Sequence, residues 1–283
     1  MDEALDEYLP PGDLYPSQVH EPMRYSVFAG GKRLRPILLL AAAEAVGFES
    51  RHALPLASAI ELIHTYSLLH DDLPAMDNSD TRRGQPSCHK RYGEAIAILT
   101  GDALLTLAFS IISQECFARL LCSDQLSWIL REIAQASGAE GLIGGQTMDI
   151  ISQGEEVDLS VLRYIHEHKT GALIRACLRL GGIVARASCS QLQSLTEYGE
   201  RIGLAFQIRD DILDLDEETQ VGKKLGKDMD AGKATYPRLL GLEESERELQ
   251  RLVEEANRAI CSFPDDKAQP LRCIANHIIH RRN

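Results

Sequence analysis

The sequence predicts an all-α protein, on three observations. Apolar residues make up 44% of the 283 and are mainly Ala, Leu and Ile, whereas aromatics are only 5%, a mixture that favours helices over strands. Residues that start and stop helices recur along the whole chain. No segment sustains the period-two alternation of a half-buried strand. There is no internal repeat, low-complexity tract or compositional break, so 1–283 reads as a single domain.

The elements follow in order. Ser17 is placed to cap a helix ending near Gly30-Gly31. Pro36 suits a first helical position, and Gly47 closes that segment. A long apolar-periodic stretch runs over 53–72, with Pro74 just beyond it. Asn78 to Pro86 is loop-like, carrying polar residues with Gly84 and Pro86. Helical patterns resume over 94–121, 125–153, 160–186, 190–216, 236–258 and 266–281, with Asp124, Ser160 and Ser190 as N-caps.

Composition excludes several classes. The formal charge of −12 argues against nucleic acid as a partner. No apolar run approaches the roughly 18 residues of a membrane span. The start Met1-Asp2-Glu3-Ala4 is acidic and unlike a signal peptide, so the expected location is cytoplasmic. Seven cysteines, an odd number without a Cys-x-x-Cys pair, suit reduced thiols and not structural zinc. The same charge conflicts with basic motifs that look built for phosphate, and bound divalent cations resolve the conflict.

Asp71, Asp72 and Asp77 stand in Leu-His-Asp-Asp-Leu-Pro-Ala-Met-Asp, with Asp80 nearby. The first two sit near a helix C-terminus, the end where negative charge is disfavoured. Two like charges about 4 Å apart repel by roughly 4 kcal/mol at an effective dielectric near 20. Oxygen-only ligands there suit a hard cation such as Mg²⁺. A second cluster, Phe206-Gln207-Ile208-Arg209-Asp210-Asp211-Ile212-Leu213-Asp214, falls inside a predicted helix. Gln207, Asp210, Asp211 and Asp214 share one wedge of that helix and Ile208 and Ile212 the other side. Taken singly, each cluster also fits a solvated acidic face. Two in one helical chain, facing each other, fit a shared diphosphate held through Mg²⁺; without cations they would raise one another's pKa values.

Gly30-Gly31-Lys32-Arg33-Leu34-Arg35-Pro36 puts three cations beside a permissive turn, a pattern suited to phosphate oxygens but without Walker-loop spacing. Arg82-Arg83 follow the first acidic cluster, and His64 lies two turns before Asp71 on the same helical face. Lys169-Thr170-Gly171 interrupts a helix, and Lys223, Lys224, Lys227 and Lys233 form a basic run after the second cluster. A di-iron bundle needs two Glu-x-x-His pairs, and only Glu61 to His64 provides one.

Gly-Gly-Lys-Arg-Leu-Arg-Pro, Asp-Asp-x4-Asp then Arg-Arg-Gly, Gly-Gly-Gln, Lys-Thr-Gly and Phe-Gln-x-x-Asp-Asp-Ile-Leu-Asp occur in that order between about Met23 and Gly241. In this the chain resembles the trans-isoprenyl diphosphate synthases, the farnesyl and geranylgeranyl diphosphate synthase family. The resemblance implies an isoprenoid-synthase-type helical bundle around a central cavity, working as a homodimer. It implies a prenyltransferase that joins isopentenyl diphosphate to an allylic diphosphate and releases pyrophosphate.

Carried over residue by residue, Asp71, Asp72 and Asp77 resemble one magnesium motif, and Asp210, Asp211 and Asp214 the other. Three Mg²⁺ ions are implied, with Mn²⁺ as a substitute. Lys32, Arg35, His64 and Arg83 resemble the isopentenyl diphosphate site. Arg82, Lys169, Lys223 and Lys233 resemble contacts to the allylic diphosphate, and Thr170 and Gln207 groups near the developing carbocation. The tail His280-Arg281-Arg282-Asn283 resembles one that folds over the active site.

Tyr66, with Ser67 beside it, resembles the bulky floor of bacterial farnesyl-type members. The expected product is therefore C15, with a C20 product as the alternative. A non-catalytic partner subunit is expected to lose motif aspartates, and none is missing here. A terpene cyclase shares an aspartate-rich motif but has no need of the isopentenyl site. The short region before Met23, with Pro10-Pro11, and Asn78-Ser79 in place of a longer acidic run depart from the family pattern.

Overall fold

The computed structural model describes residues 1–122, 124–221 and 234–281. The regular secondary structure of the described residues is helical apart from one small hairpin, as expected of an all-α protein. The chain divides into two compact units, Met1–Leu40 with Glu49–Leu126, and Ala41–Phe48 with Ser127–Asn283.

The first unit contains α1 (Asp2–Tyr8), α2 (Ser17–Val27), the start of α3 (Leu34–Val46), a 3-10 turn (Ser50–Ala53), α4 (Leu54–Asp71), α5 (Cys88–Tyr92), α6 (Glu94–Ile112) and α7 (Glu115–Ala118). α4 is buried nearly all round, from Leu56 through Ile60 and Ile63 to Leu69, as a helix apolar on every face must be. It packs mainly on α6. The crossing is close at Gly101, where a Cβ would overlap the His70 imidazole, and His70 Nε2 lies 3.1 Å from the Ile98 carbonyl oxygen.

Two readings of this unit need correction. The segment 78–86 is a hairpin, β1 (Thr81–Arg82) against β2 (Gln85–Pro86). Arg83 (φ 54°) and Gly84 (φ 76°) both have positive φ, as a two-residue type I′ turn requires. The pairs are too short for alternation to register in the sequence. Second, α6 is long and apolar enough by composition to cross a membrane. Asp102 divides its apolar run in the sequence. It is a packing helix of its unit, with Ala97, Leu104, Ala108 and Ile111 buried.

The second unit contains α8 (Gln125–Ser137), α9 (Leu142–Ile151), α10 (Leu159–Ile165), a π-helical segment (His166–Gly171), α11 (Ala172–Val184), α12 (Cys189–Val221), α13 (Tyr236–Leu240), α14 (Leu242–Ala259) and α15 (Asp265–His280). α8 begins just before the division between the units. α10, the π-helical segment and α11 run as one rod. α12 packs on α11, α14 and α15, and buried Tyr198 fixes it to α15 by donating its hydroxyl to the Leu271 carbonyl at 2.7 Å.

Local chemistry shifts several predicted ends. Asp158, not Ser160, caps α10, its carboxylate accepting from the Ser160 and Val161 amides. Ser188 and Gln191 exchange side-chain-to-backbone bonds at 3.2 and 2.9 Å, so this capping box, not Ser190, starts α12. Pro16 occupies the N-cap of α2 and Ser17 its first turn. Pro36 is the third residue of α3. The predicted helix over 94–121 ends at Ile112, and the one over 236–258 breaks at Gly241, where φ is 84°. None of the seven cysteines forms a disulfide.

Candidate active site

In the first unit the basic residues gather around the Gly30-Gly31 turn. Arg83 donates to the Gly30 carbonyl. Its guanidinium lies so near Gly31 that a Cβ there would be 2.7 Å from both terminal nitrogens, and Gly31 itself has φ 125°. Glycine is thus required by conformation, and its bare Cα leaves room for the Arg83 guanidinium as placed. Arg33, also at positive φ (51°), is buried against Glu61 at 2.6 Å, and donates to the Val27 carbonyl at 2.7 Å and to Asp2 at 3.0 Å. These bonds hold the turn from which exposed Lys32 projects.

Arg35 Nη1 lies 3.2 Å from His64 Nε2, so His64 is a neutral acceptor at that nitrogen. Burial, with Arg35, Arg83, Arg82 and Arg33 around it, holds its pKa well below the ordinary histidine value. Burial also lowers Arg83, against the pull of Glu61 and with the push of Arg33, Arg82 and Arg35. A partly buried concentration of cations that depresses its own pKa values is poised for an anion. Lys32, Arg35, His64 and Arg83 thus lie within one unit around one turn.

The first acidic motif is shaped by the end of α4. The Asp77 amide donates to the Asp71 carbonyl at 2.9 Å and the Ser79 amide to the Asp72 carbonyl at 3.2 Å. The loop therefore folds back, satisfies the helix's last carbonyls and brings Asp77 beside Asp71. Asp71 is half-buried and Asp77 exposed. Asp72 differs: it is buried and held by the Arg82 fork, with Arg82 Nε at 3.1 and 3.2 Å from its two oxygens. Arg82 is raised by this bond and by Asp71 and Asp77, which outweigh its desolvation.

In the second unit, a cavity of about 160 Å³ is lined by Asp149, His166, Lys169, Thr170, Gln207 and Asp211, among others. The π-helical segment supplies His166, Lys169 and Thr170, α9 supplies Asp149, and α12 supplies Gln207 and Asp211. The Lys169 ammonium donates to Asp149 at 2.6 Å. The predicted split of α12 holds for Ile208 and Ile212, which are buried, and for Gln207, Asp210 and Asp214, which are not. Asp211 departs from it. It is buried, and its Oδ2 accepts from the Tyr236 amide at 2.9 Å at the start of α13.

Asp210 pairs with Arg281 at 2.6 Å, and Arg281 lies over the Phe206 ring at 4.8 Å. The C-terminal tail thus reaches the second acidic motif at Arg281. Lys223 and Lys233, with Lys224 and Lys227, lie outside the described residues, as do Arg282 and Asn283.

Asp149 and His166 escaped the sequence reading. Asp149 stands four residues after Gly145 in the Gly-Gly-Gln helix, and that helical spacing was the available signal. Buried His166 carried none. Its pKa falls to about 4 through burial, against Asp149, which raises it. Among the described residues no three acidic, histidine or cysteine side chains form a metal cage of their own. The carboxylates of Asp71, Asp77, Asp210 and Asp214, none of them buried, are oxygen donors of the kind Mg²⁺ would take, one or two at a time, beside its waters and phosphate oxygens.

A helical chain with two aspartate motifs, a cation-rich turn and a lysine-threonine π-helical segment has the parts of a diphosphate-handling transferase. The polyprenyl synthetase family model matches residues 16–266. A heterodimeric geranylgeranyl pyrophosphate synthase large subunit of Arabidopsis thaliana is 45% identical, over 100% of this chain and 77% of that protein. A dimethylallyltranstransferase of Fischerella ambigua is 47% identical, over 99% and 80%. The solved structure of an FPP/GFPP synthase from Zymomonas mobilis superposes with a TM-score of 0.86 at 39% identity, covering 98% of this chain and 94% of that one. The chain belongs to the polyprenyl synthetase family and is a prenyltransferase of the trans-isoprenyl diphosphate synthase type.

Proposed function

We propose that the protein condenses isopentenyl diphosphate with dimethylallyl or geranyl diphosphate to give farnesyl diphosphate and pyrophosphate. The observation that carries the C15 product is Tyr66. It is buried on α4, five residues or about 7.5 Å before Asp71, with its ring edge-on to His70 at 5.8 Å. Burial and the Asp71 carboxylate raise its pKa. Ser67 is turned back onto its own helix, donating to the His64 carbonyl at 2.9 Å, which leaves Tyr66 as the bulky group below the aspartates. The name of the Zymomonas mobilis neighbour, an FPP/GFPP synthase, supports this reading. The name of the Arabidopsis thaliana relative favours the second reading, a C20 product.

In this reading both units work as one functional domain, spanned by the family match. Lys32, Arg35, His64 and Arg83 bind isopentenyl diphosphate and orient its double bond, a positioning effect. Arg82 and Lys169, with Lys223 and Lys233, hold the allylic diphosphate by fixed positive charge. Asp71, Asp72 and Asp77 and Asp210, Asp211 and Asp214 are the residues that would hold magnesium, whose chemistry when bound is to neutralise the leaving diphosphate. For Asp72 and Asp211 that role requires exchange of the Arg82 fork and the Tyr236 amide.

The allylic C–O bond breaks and its electron pair leaves with the diphosphate. The Lys169 carbonyl, Thr170 and the Gln207 side-chain oxygen face the resulting allylic cation. The double bond of isopentenyl diphosphate supplies the pair for the new C–C bond. The released pyrophosphate takes the proton lost as the new double bond forms, so no side-chain base is needed.

A homodimer is part of the proposal. It is supported by apolar α6, on which Ile98 and Leu99 are 43% and 56% exposed. The test of chain length is product sizing with Mg²⁺, isopentenyl diphosphate and each allylic diphosphate. Wild type should stop at C15 and Tyr66→Ala should lengthen the product. An unchanged product spectrum in Tyr66→Ala removes Tyr66 as the stop.

A further inference from the structure

The Gly144-Gly145-Gln146 motif has no task in the chemistry above. In the structure it lies on α9, which packs against the π-helical segment. A Cβ at Gly145 would overlap the Lys169 backbone nitrogen and stand 2.7 Å from both His168 C and Lys169 Cα. The obstacle is backbone, so no change of rotamer relieves it. Four residues on, along the same helix face, Asp149 accepts from Lys169 Nζ at 2.6 Å. One helix therefore fixes Lys169 at both its main chain and its ammonium.

α12 repeats the device. A Cβ at Gly203 would lie 2.8 Å from Gly171 Cα, and four residues on, Gln207 lines the same cavity as Lys169 and Thr170. Two helices thus approach the π-helical segment through a glycine and present a polar side chain one turn later. A π-helical turn is held against a regular α-helix only by its surroundings, and such turns recur at functional sites.

We propose that Gly145 and Gly203 are positioning residues for the prenyl transfer. By letting α9 and α12 touch the main chain of 166–171, they set the Lys169 carbonyl and Thr170 against the allylic carbon. The inference rests on the function proposed above and explains why the motif needs glycine.

The test is steady-state kinetics of Gly145→Ala and Gly203→Ala, with thermal melting of each. Both should lower kcat at least tenfold while KM for isopentenyl diphosphate stays within twofold. Gly182→Ala is the control: its Cβ would press on the tips of Leu195 and Leu192, at 2.9 and 3.1 Å, and otherwise make ordinary contact with Ala187 at 3.5 Å, and its kcat should stay within twofold of wild type. If Gly145→Ala does not fold, Gly203→Ala, whose clash is milder, decides alone. Folded variants with kcat within twofold of wild type overturn the inference, as does an equal loss in Gly182→Ala. Absence of prenyl product from wild type would instead overturn the proposed function.

Discussion

Asp72 and Arg82 show what a neighbour does to a motif residue. The sequence places three equivalent-looking aspartates at and just beyond the end of α4, but the hairpin turns Arg82 back onto Asp72 and buries it. Asp71 and Asp77 have the more open positions. Loss of one preorganised electrostatic group costs about 10²–10³ in rate. Asp71→Ala and Asp210→Ala should each lose at least that in kcat, by continuous pyrophosphate-release assay, while remaining folded. His64 gives a pH prediction. The unfolded chain takes up its proton near pH 6.5 and the folded chain only at lower pH, so folded stability should fall as pH drops below about 6.5. Urea melts between pH 7.5 and 5 should show this, with a weaker dependence in His64→Gln. The buried Glu61–Arg33 pair predicts that Glu61→Ala destabilises by about 3–5 kcal/mol, the usual cost of stranding a buried charge; chemical denaturation measures it.

At the scale of elements, packing argues most clearly at the α4–α6 crossing. Gly101→Ala must displace the His70 ring, and overpacking of this kind costs about 1–3 kcal/mol. A lower urea midpoint with unchanged slope is the expected result. The helices themselves were legible: composition and the spacing of apolar residues place α4, α6, α11 and α12. Their ends were less so, because Ser160 and Ser190 look like caps while Asp158 and Ser188 have the geometry. The hairpin at Thr81–Pro86 was not legible, since its turn depends on Arg83 adopting positive φ, which few arginines do. The basic and acidic motifs of the site were readable as motifs. Their partners Glu61, Asp149 and His166 were not, because they are joined to the motifs only by the fold.

For the whole molecule, the net charge of −12 alongside a cation-rich turn and two aspartate motifs is consistent with a protein that handles phosphates through divalent cations. The exposed apolar part of α6 gives the prediction about assembly. For the proposed homodimer, wild type should sediment as a dimer and Leu99→Glu as a monomer, whereas a dimeric mass retained in Leu99→Glu would remove α6 as the interface. The central claim is that the aspartate motifs and the isopentenyl site serve one condensation. The most direct measurement is mass-resolved product formation from Mg²⁺, geranyl diphosphate and isopentenyl diphosphate, with each component omitted in turn. The account predicts a C15 diphosphate that appears only when all three are present; a prenyl product formed without isopentenyl diphosphate, or none under any combination, would contradict it.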